Sequence, residues 1–298
     1  MMLAQNDNPF HSLEHDHDPI MVAAHLQSAS QSSTTTNVRW RYCTEGIPPI
    51  QPDYTTLEQP LNIIALGRTG DGKSSLLNDI IGHPVFKQKT SVKSQTKEIQ
   101  TYTHFWAPLH PYMHNKEQFG CPVQVIDTPG FGDSQLRDKE FYHPIQQAII
   151  KAANEEGGLH CILMVFKITT NADAVFKSIQ ALYDLVSPLV THHDFWRNVL
   201  LVFTHVDLGN VLNVQRYQSR KVALKSKVNQ AIRERYHLKH DLPMLWISTQ
   251  KFTCGFMKGL GLCDCERGNR YQSDCRRRLF EQVRKRASCP LYGLTQVE

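Results

Sequence analysis

From Leu61 onward, short continuous apolar runs alternate with longer amphipathic stretches, and this alternation predicts strands separated by helices. The strand-like runs are Leu61 to Leu66, Glu98 to Trp106, Val123 to Ile126, Cys161 to Ile168, Val199 to Thr204 and Met244 to Ile247. Between them, Ser74 to Ile81, Phe141 to Ala153, Ala172 to Val186, Val214 to Tyr236 and Gln272 to Ala287 place apolar residues three and four apart, the helical spacing. Parallel neighbours in a sheet need crossover connections, so this rhythm predicts an α/β domain with a mostly parallel sheet and helices on both faces.

The flanks read differently. Residues 1–37 are rich in Gln, Asn, Ser, Thr and His and include the low-complexity run SASQSSTTTN, which predicts a disordered N-terminal tail. Residues 38–60 carry Trp40, Tyr42 and the proline-rich IPPIQP, as expected of a linker or docking arm. The domain is expected to span residues 61–291, with a short C-terminal tail over 292–298.

Composition narrows the class further. The chain is 41% hydrophobic and 20% charged, ordinary globular usage. Its longest apolar runs fall far short of the roughly 20 residues a bilayer-spanning helix needs. The N-terminus has no basic start followed by an apolar core, so no secretory signal is visible and a cytoplasmic location with reduced thiols is expected. A formal charge of +5 is too mild across 298 residues to predict a nucleic-acid partner.

The chemistry concentrates at strand ends. LNIIAL runs into GRTGDGKSS and then a helix, the order a P-loop requires. Gly67, Gly70 and Gly72 permit backbone conformations closed to other residues, so that the amides of Arg68, Thr69, Gly70, Asp71, Gly72, Lys73, Ser74 and Ser75 can turn inward around phosphate oxygens. The Lys73 ammonium is expected at the β- and γ-phosphates, as a catalytic charge, and the Ser74 hydroxyl on Mg²⁺.

A second motif, VIDTPGFGD, places Asp127 at a strand end to hold Mg²⁺ through water, and Gly130 where its amide can approach the γ-phosphate. A third, LLVFTHVD, ends in Thr204, His205 and Asp207. A carboxylate that accepts from guanine N1–H and the exocyclic amine rejects adenine, so Asp207 predicts GTP over ATP. His205 stands where many GTPases have a lysine lying on the purine face, and an imidazole can stack there. After the last strand, Ser248 is the candidate for presenting a backbone amide to guanine O6, and Trp246 is expected in the core.

In order, GRTGDGKS, the Thr-containing loop KTSVKSQTKE, DTPGFGD and FTHVD resemble the GTP-binding domain of the TRAFAC class, and within it the GIMAP-type (avirulence-induced-gene) GTPases, relatives of septins and the chloroplast import-receptor GTPases. The resemblance spans about Leu61 to Leu291. The guanine motif departs from the generic pattern, reading Thr-His-x-Asp in place of Asn-Lys-x-Asp. The resemblance implies a Rossmann-like P-loop NTPase fold, binding of GTP and GDP with Mg²⁺, slow hydrolysis and pairing of two G domains across the nucleotide face. It also implies that a threonine of the loop, Thr96 or else Thr90, ligates Mg²⁺ and offers its amide to the γ-phosphate.

Ras-like enzymes place a water-orienting glutamine near the position that follows Gly130, where this chain has Phe131, and an apolar ring cannot hold a nucleophile. Hydrolysis is therefore expected to be slow, with the missing stabilisation coming from a partner, a second copy, or Arg68, Asp71 or His104. Arg68 and Asp71 are expected to face a dimer partner.

Three features outside these motifs carry less. His11, His15 and His17 lie in the polar tail and are read as solvated. Cys254, Cys263, Cys265, Cys275 and Cys289 contain no C-x₂-C pair of the kind that makes zinc sites. CRRRLFEQVRKR sets Leu279, Phe280 and Val283 on one helical face with Arg276, Arg277, Arg284, Lys285 and Arg286 around it, which predicts a helix packed on the sheet, with membrane association through its basic residues as the other reading. The leading functional expectation is a GTP-binding switch with slow GTPase activity. The alternatives are a nucleotide-dependent dimerising scaffold with negligible turnover, and a P-loop ATPase or nucleotide kinase.

Overall fold

The computed structural model describes residues 59–86, 98–107, 120–130, 135–155, 157–190, 194–206, 211–248 and 265–295. All of them lie within the compact unit Gln51–Glu298. The tail over 1–37 and the arm up to residue 58 fall outside the described residues.

Among the described residues six strands form one sheet: β1 (Leu61–Gly67), β2 (Gln100–Trp106), β3 (Cys121–Asp127), β4 (Leu159–Lys167), β5 (Val199–Thr204) and β6 (Met244–Trp246). Their spatial order is β2-β3-β1-β4-β5-β6. Every pairing is parallel except β2 with β3, which is antiparallel. All seven residues of β1, all six of β5 and the first eight of β4 are buried. Since successive side chains point to opposite faces, the sheet is covered on both sides at its centre, and this is why those strands read as unbroken apolar runs.

Among the described residues five α-helices supply the cover: α1 (Lys73–Ile81), α2 (Gln135–Asn154), α3 (Ala172–Val186), α4 (Val211–Tyr236) and α5 (Cys265–Ala287). Asn171 caps α3 by accepting from Ala174 N at 2.8 Å. The α2 side chains Tyr142 and Gln146 donate to the carbonyls of Ala181 and Leu185 on α3, at 2.9 and 3.0 Å. On α5, Leu279, Phe280 and Val283 are buried, and the Phe280 ring meets Trp106 edge-on at 5.0 Å. The basic face of α5 is in good part spoken for inside the domain: Arg276 pairs with Asp79, Arg277 with Glu281, and the buried Arg286 donates to Val199 O.

Several boundaries differ from the sequence expectation for identifiable reasons. Helix α2 begins at Gln135, six residues early, because QLRDKE has little apolar periodicity to announce it. Helix α5 begins at Cys265 across the polar, glycine-containing CERGNR for the same reason. Strand β3 begins at Cys121 and carries Pro122 at its second position, where a missing N–H costs least. The packed chain also continues beyond residue 291. Leu291 bridges Leu159, Leu294 is buried, and Asn154 Nδ2 donates to Leu294 O at 3.1 Å, so the domain's edge lies past the expected boundary.

Candidate functional site

Five strands run parallel, and the last residues of four of them meet at one rim: Gly67 of β1, Asp127 of β3, Lys167 of β4 and Thr204 of β5. Ligand sites in open α/β sheets form outside these carboxyl ends. Here the rim collects the first, second and third sequence motifs.

The P-loop is shaped by its glycines. Gly67, Gly70 and Gly72 all have positive φ, at +148°, +81° and +90°. A Cβ on Gly67 would overlap Val165 O, so the turn also needs glycine for close approach to β4. Helix α1 starts at Lys73 with no side chain capping it, which leaves its first amides directed at the loop. Lys73 is buried, and its Nζ arches back to donate to Gly67 O at 2.8 Å and Arg68 O at 3.1 Å. The half-buried Arg68 also accepts from Asp71 N at 3.2 Å through its carbonyl. Ser75, half-buried, follows on the first turn of α1.

The second motif locks onto the first. Ser74 Oγ donates to Asp127 Oδ2 at 2.6 Å, bringing the two expected metal ligands within direct contact. Thr128 Oγ1 donates to Ala65 O at 2.7 Å and pins the DTPG turn to β1. Gly130 is buried against Thr69: a Cβ there would overlap Thr69 Oγ1 and stand 2.9 Å from Thr69 N.

The third motif fastens the loop from its other side. Thr204 Oγ1 lies 2.6 Å from Asp71 O, 3.2 Å from Phe166 O and 2.7 Å from His205 Nδ1. A hydroxyl has one proton, and the shortest carbonyl contact takes it, so Nδ1–H of His205 donates to Oγ1. His205 itself sits in the left-handed region at φ 59°. Its pKa lies below the usual imidazole value, first through partial burial and then through the nearby Lys167 charge. Ser248, past the end of β6, has its Oγ buried with no hydrogen-bond partner among the described residues. Trp246 stacks on Phe203 at 5.6 Å, and its carbonyl accepts from Tyr271 OH at 3.0 Å and Cys275 Sγ at 3.4 Å, which anchors this end of β6 to α5.

Two expectations are corrected. His104 is not at the rim: in the antiparallel register Gln100 pairs with Asp127, and His104 lies four residues farther along β2, roughly 13 Å away. There it packs against His83, with ring centroids 4.8 Å apart. Asp71 is buried and so does not face outward toward a dimer partner. Thr96, Thr90, Phe131 and Asp207 lie outside the described residues. Lys167 and Thr128, by contrast, stand at the rim without having been singled out. Thr128 was in plain view inside the DTPG tetrapeptide, whereas Lys167 belongs to no motif.

Chemically, the rim offers oxygen donors of the hard type Mg²⁺ takes (the Ser74 hydroxyl and the Asp127 carboxylate), an ammonium (Lys73), and a helix N-terminus. Three glycines with positive φ shape the loop that the Lys73 ammonium reaches, and a buried Ser248 hydroxyl lies past the end of β6. These residues fit a nucleoside polyphosphate with its magnesium ion.

Known proteins resemble this chain. It is 32% identical over 130 residues to immune-associated nucleotide-binding protein 7 of Arabidopsis thaliana, covering 42% of this chain and 37% of that protein. It is 30% identical over 155 residues to GTP-binding protein A of Dictyostelium discoideum, covering 51% of this chain and 29% of that one. The chain thus spans well under half the length of these relatives. Among solved structures, Toc33 from Arabidopsis thaliana in complex with GDP and Mg²⁺ superposes with a TM-score of 0.49 at 15% identity, over 80% of this chain and 89% of that one. Residues 61–240, more than half of the chain and all of the rim except Ser248, match the AIG1 family, and the chain belongs to that family.

Proposed function

We propose that this chain binds GTP and GDP with Mg²⁺ at the rim and hydrolyses GTP slowly, as a nucleotide-controlled switch. The observation that carries the proposal is the 2.6 Å contact between Ser74 Oγ and Asp127 Oδ2, which joins the P-loop to the DTPG turn at the point where a metal-bound phosphate would sit. Magnesium, when bound, neutralises charge on the phosphate oxygens. The protein's share is positional: P-loop amides from Arg68 to Ser75 hold the phosphates, and Lys73 exchanges its carbonyl contacts for phosphate oxygens. Ser74, Asp127 and Thr96 hold the metal, and Gly130 offers its amide to the γ-phosphate. Asp207 selects guanine, His205 lies along the purine, and the Ser248 segment meets O6. With phenylalanine at 131, the chain carries no glutamine there to orient water, and turnover is correspondingly slow.

A dimerising scaffold is the second reading, favoured by the same phenylalanine: a second copy meeting the nucleotide face would make turnover incidental. The test of the main reading is to purify the chain, denature it and identify the released nucleotide, then to compete GTP against ATP. Guanine nucleotide in the wild type and none in Lys73→Ala are expected; an adenine nucleotide would overturn the assignment.

A further inference from the structure

We propose that Lys167, from the end of β4, supplies the positive charge that the Thr-His-x-Asp motif omits at His205, and that it positions bound guanine nucleotide from outside the motifs. This rests on the reading of the rim as a guanine-nucleotide site. A lysine at the position of His205 would do two things at once, laying its stem along the purine and bringing an ammonium to the phosphate loop, since His205 Cε1 stands close against Gly72. In this chain the two tasks fall to two residues on neighbouring strands, which the sheet register sets side by side, Lys167 opposite Thr204 and next to His205.

The geometry divides the loop between them. The Lys167 ammonium stands 3.6 Å from where a Cβ on Gly70 would be, over the exposed crest of the loop. His205 Cε1 stands 3.3 Å from the corresponding point on Gly72. The strand end that carries Lys167 is held firmly. Thr170 N donates to Lys167 O at 2.9 Å, Ile168 N donates to Thr204 O at 2.9 Å, and the Arg220 guanidinium donates to the carbonyls of Thr169 and Thr170. Among the described residues no carboxylate pairs with the Lys167 ammonium, which stands at the mouth of an anion site. Partial burial, and after it this charge, lowers the pKa of the neighbouring imidazole, which suits a ring that lies flat on a base and donates from Nδ1 to Thr204.

The experiment measures GDP and GTP dissociation constants of the full chain by titration calorimetry at several salt concentrations. Lys167→Met is expected to weaken both nucleotides roughly tenfold and to flatten the salt dependence, while Lys167→Arg stays near wild type. Adding His205→Lys to Lys167→Met is expected to recover most of the loss, since the ammonium returns from the adjacent strand; a merely structural role for Lys167 would not be rescued that way. Melting temperatures are recorded for each variant. Unchanged affinity in Lys167→Met, equal losses in the Met and Arg variants, or no recovery in the double variant would each overturn the inference. A wild type that binds no guanine nucleotide would instead overturn the reading of the rim.

Discussion

Arg276 of α5 grips Asp79 of α1, with Nε 3.0 Å from each carboxylate oxygen and a further contact from Nη2. Asp79 lies one and a half turns beyond Ser74, so the helix that opens at the phosphate loop is fastened at its far end to the C-terminal helix. The bidentate geometry is the kind that gives an ion pair measurable strength, although Arg276 is partly exposed and screening reduces it. Arg276→Gln leaves the more buried Asp79 without its guanidinium and is expected to cost about 1–2 kcal/mol of stability. Nucleotide affinity should fall with it, because α1 is then less firmly set. Urea unfolding and GDP titration on the same samples check both; a variant with wild-type stability would show the pair to be ornamental.

The contact between Gly130 and Thr69 leads to a second expectation. A methyl group at 130 overlaps the Thr69 hydroxyl, which can rotate, and crowds Thr69 N, which cannot move without the loop. Gly130→Ala should therefore lift the DTPG turn off the P-loop and slow single-turnover GTP hydrolysis roughly ten- to a hundredfold, while GDP affinity, which does not need the γ-phosphate contact, changes little. Thr69→Ala added to Gly130→Ala should recover part of the rate. Parallel losses of rate and GDP affinity would mean that the substitution had damaged the loop itself.

The strands were legible because burial on both faces leaves no alternation to misread: β1, β4 and β5 appear as plain apolar runs. The P-loop was legible because it needs glycines at fixed spacing. What pairing adds lay beyond a linear reading. That β2 runs antiparallel at the edge, and so carries His104 away from the rim, follows from register and not from residue type. That Thr204 fastens the P-loop through Asp71 O depends on contact across 133 positions. Lys167 looked like the polar end of a strand, and its place above Gly70 appears only once β1 and β4 are side by side.

Base preference rests on Asp207. Asp207→Asn replaces one acceptor by a donor, which matches xanthine, with a carbonyl where guanine has its amine. Competition among GTP, XTP and ATP should show a shift of at least about tenfold toward XTP in the variant. Retained preference for GTP would move the base-reading role to another residue.

His160 makes stability depend on pH. Its Nδ1 accepts from Asn62 N at 3.0 Å in a buried site, and burial pushes its pKa down to about 4 from an ordinary 6.5. Between those values the unfolded chain binds a proton that the folded chain refuses, so stability is full above pH 6.5 and falls as pH drops toward 4, by up to about 3 kcal/mol. His160→Gln removes this contribution, at some cost near neutrality. Urea midpoints at pH 7.5, 6 and 5 should converge for the two proteins as the pH falls; parallel curves would assign the acid sensitivity elsewhere.

Oligomeric state decides between switch and scaffold. With phenylalanine at 131 and Asp71 buried, Gly70 is the exposed residue of the P-loop, with Arg68 half-buried close by, and a cation or hydrogen-bond donor brought in from outside would approach there, alongside Lys167. A second copy across the nucleotide face could bring such a group, and a supplied cation accelerates phosphoryl transfer by orders of magnitude. Turnover per molecule is therefore expected to rise with protein concentration, and association to be stronger with a non-hydrolysable GTP analogue than with GDP, because only the triphosphate offers a γ-phosphate to the Gly130 amide. Sedimentation in both nucleotide states, run beside turnover at several concentrations, measures the two together. Nucleotide-dependent association with turnover that stays flat would make the chain a scaffold that reads GTP without spending it; a constant monomer mass with flat turnover would make it a switch that waits for a different protein.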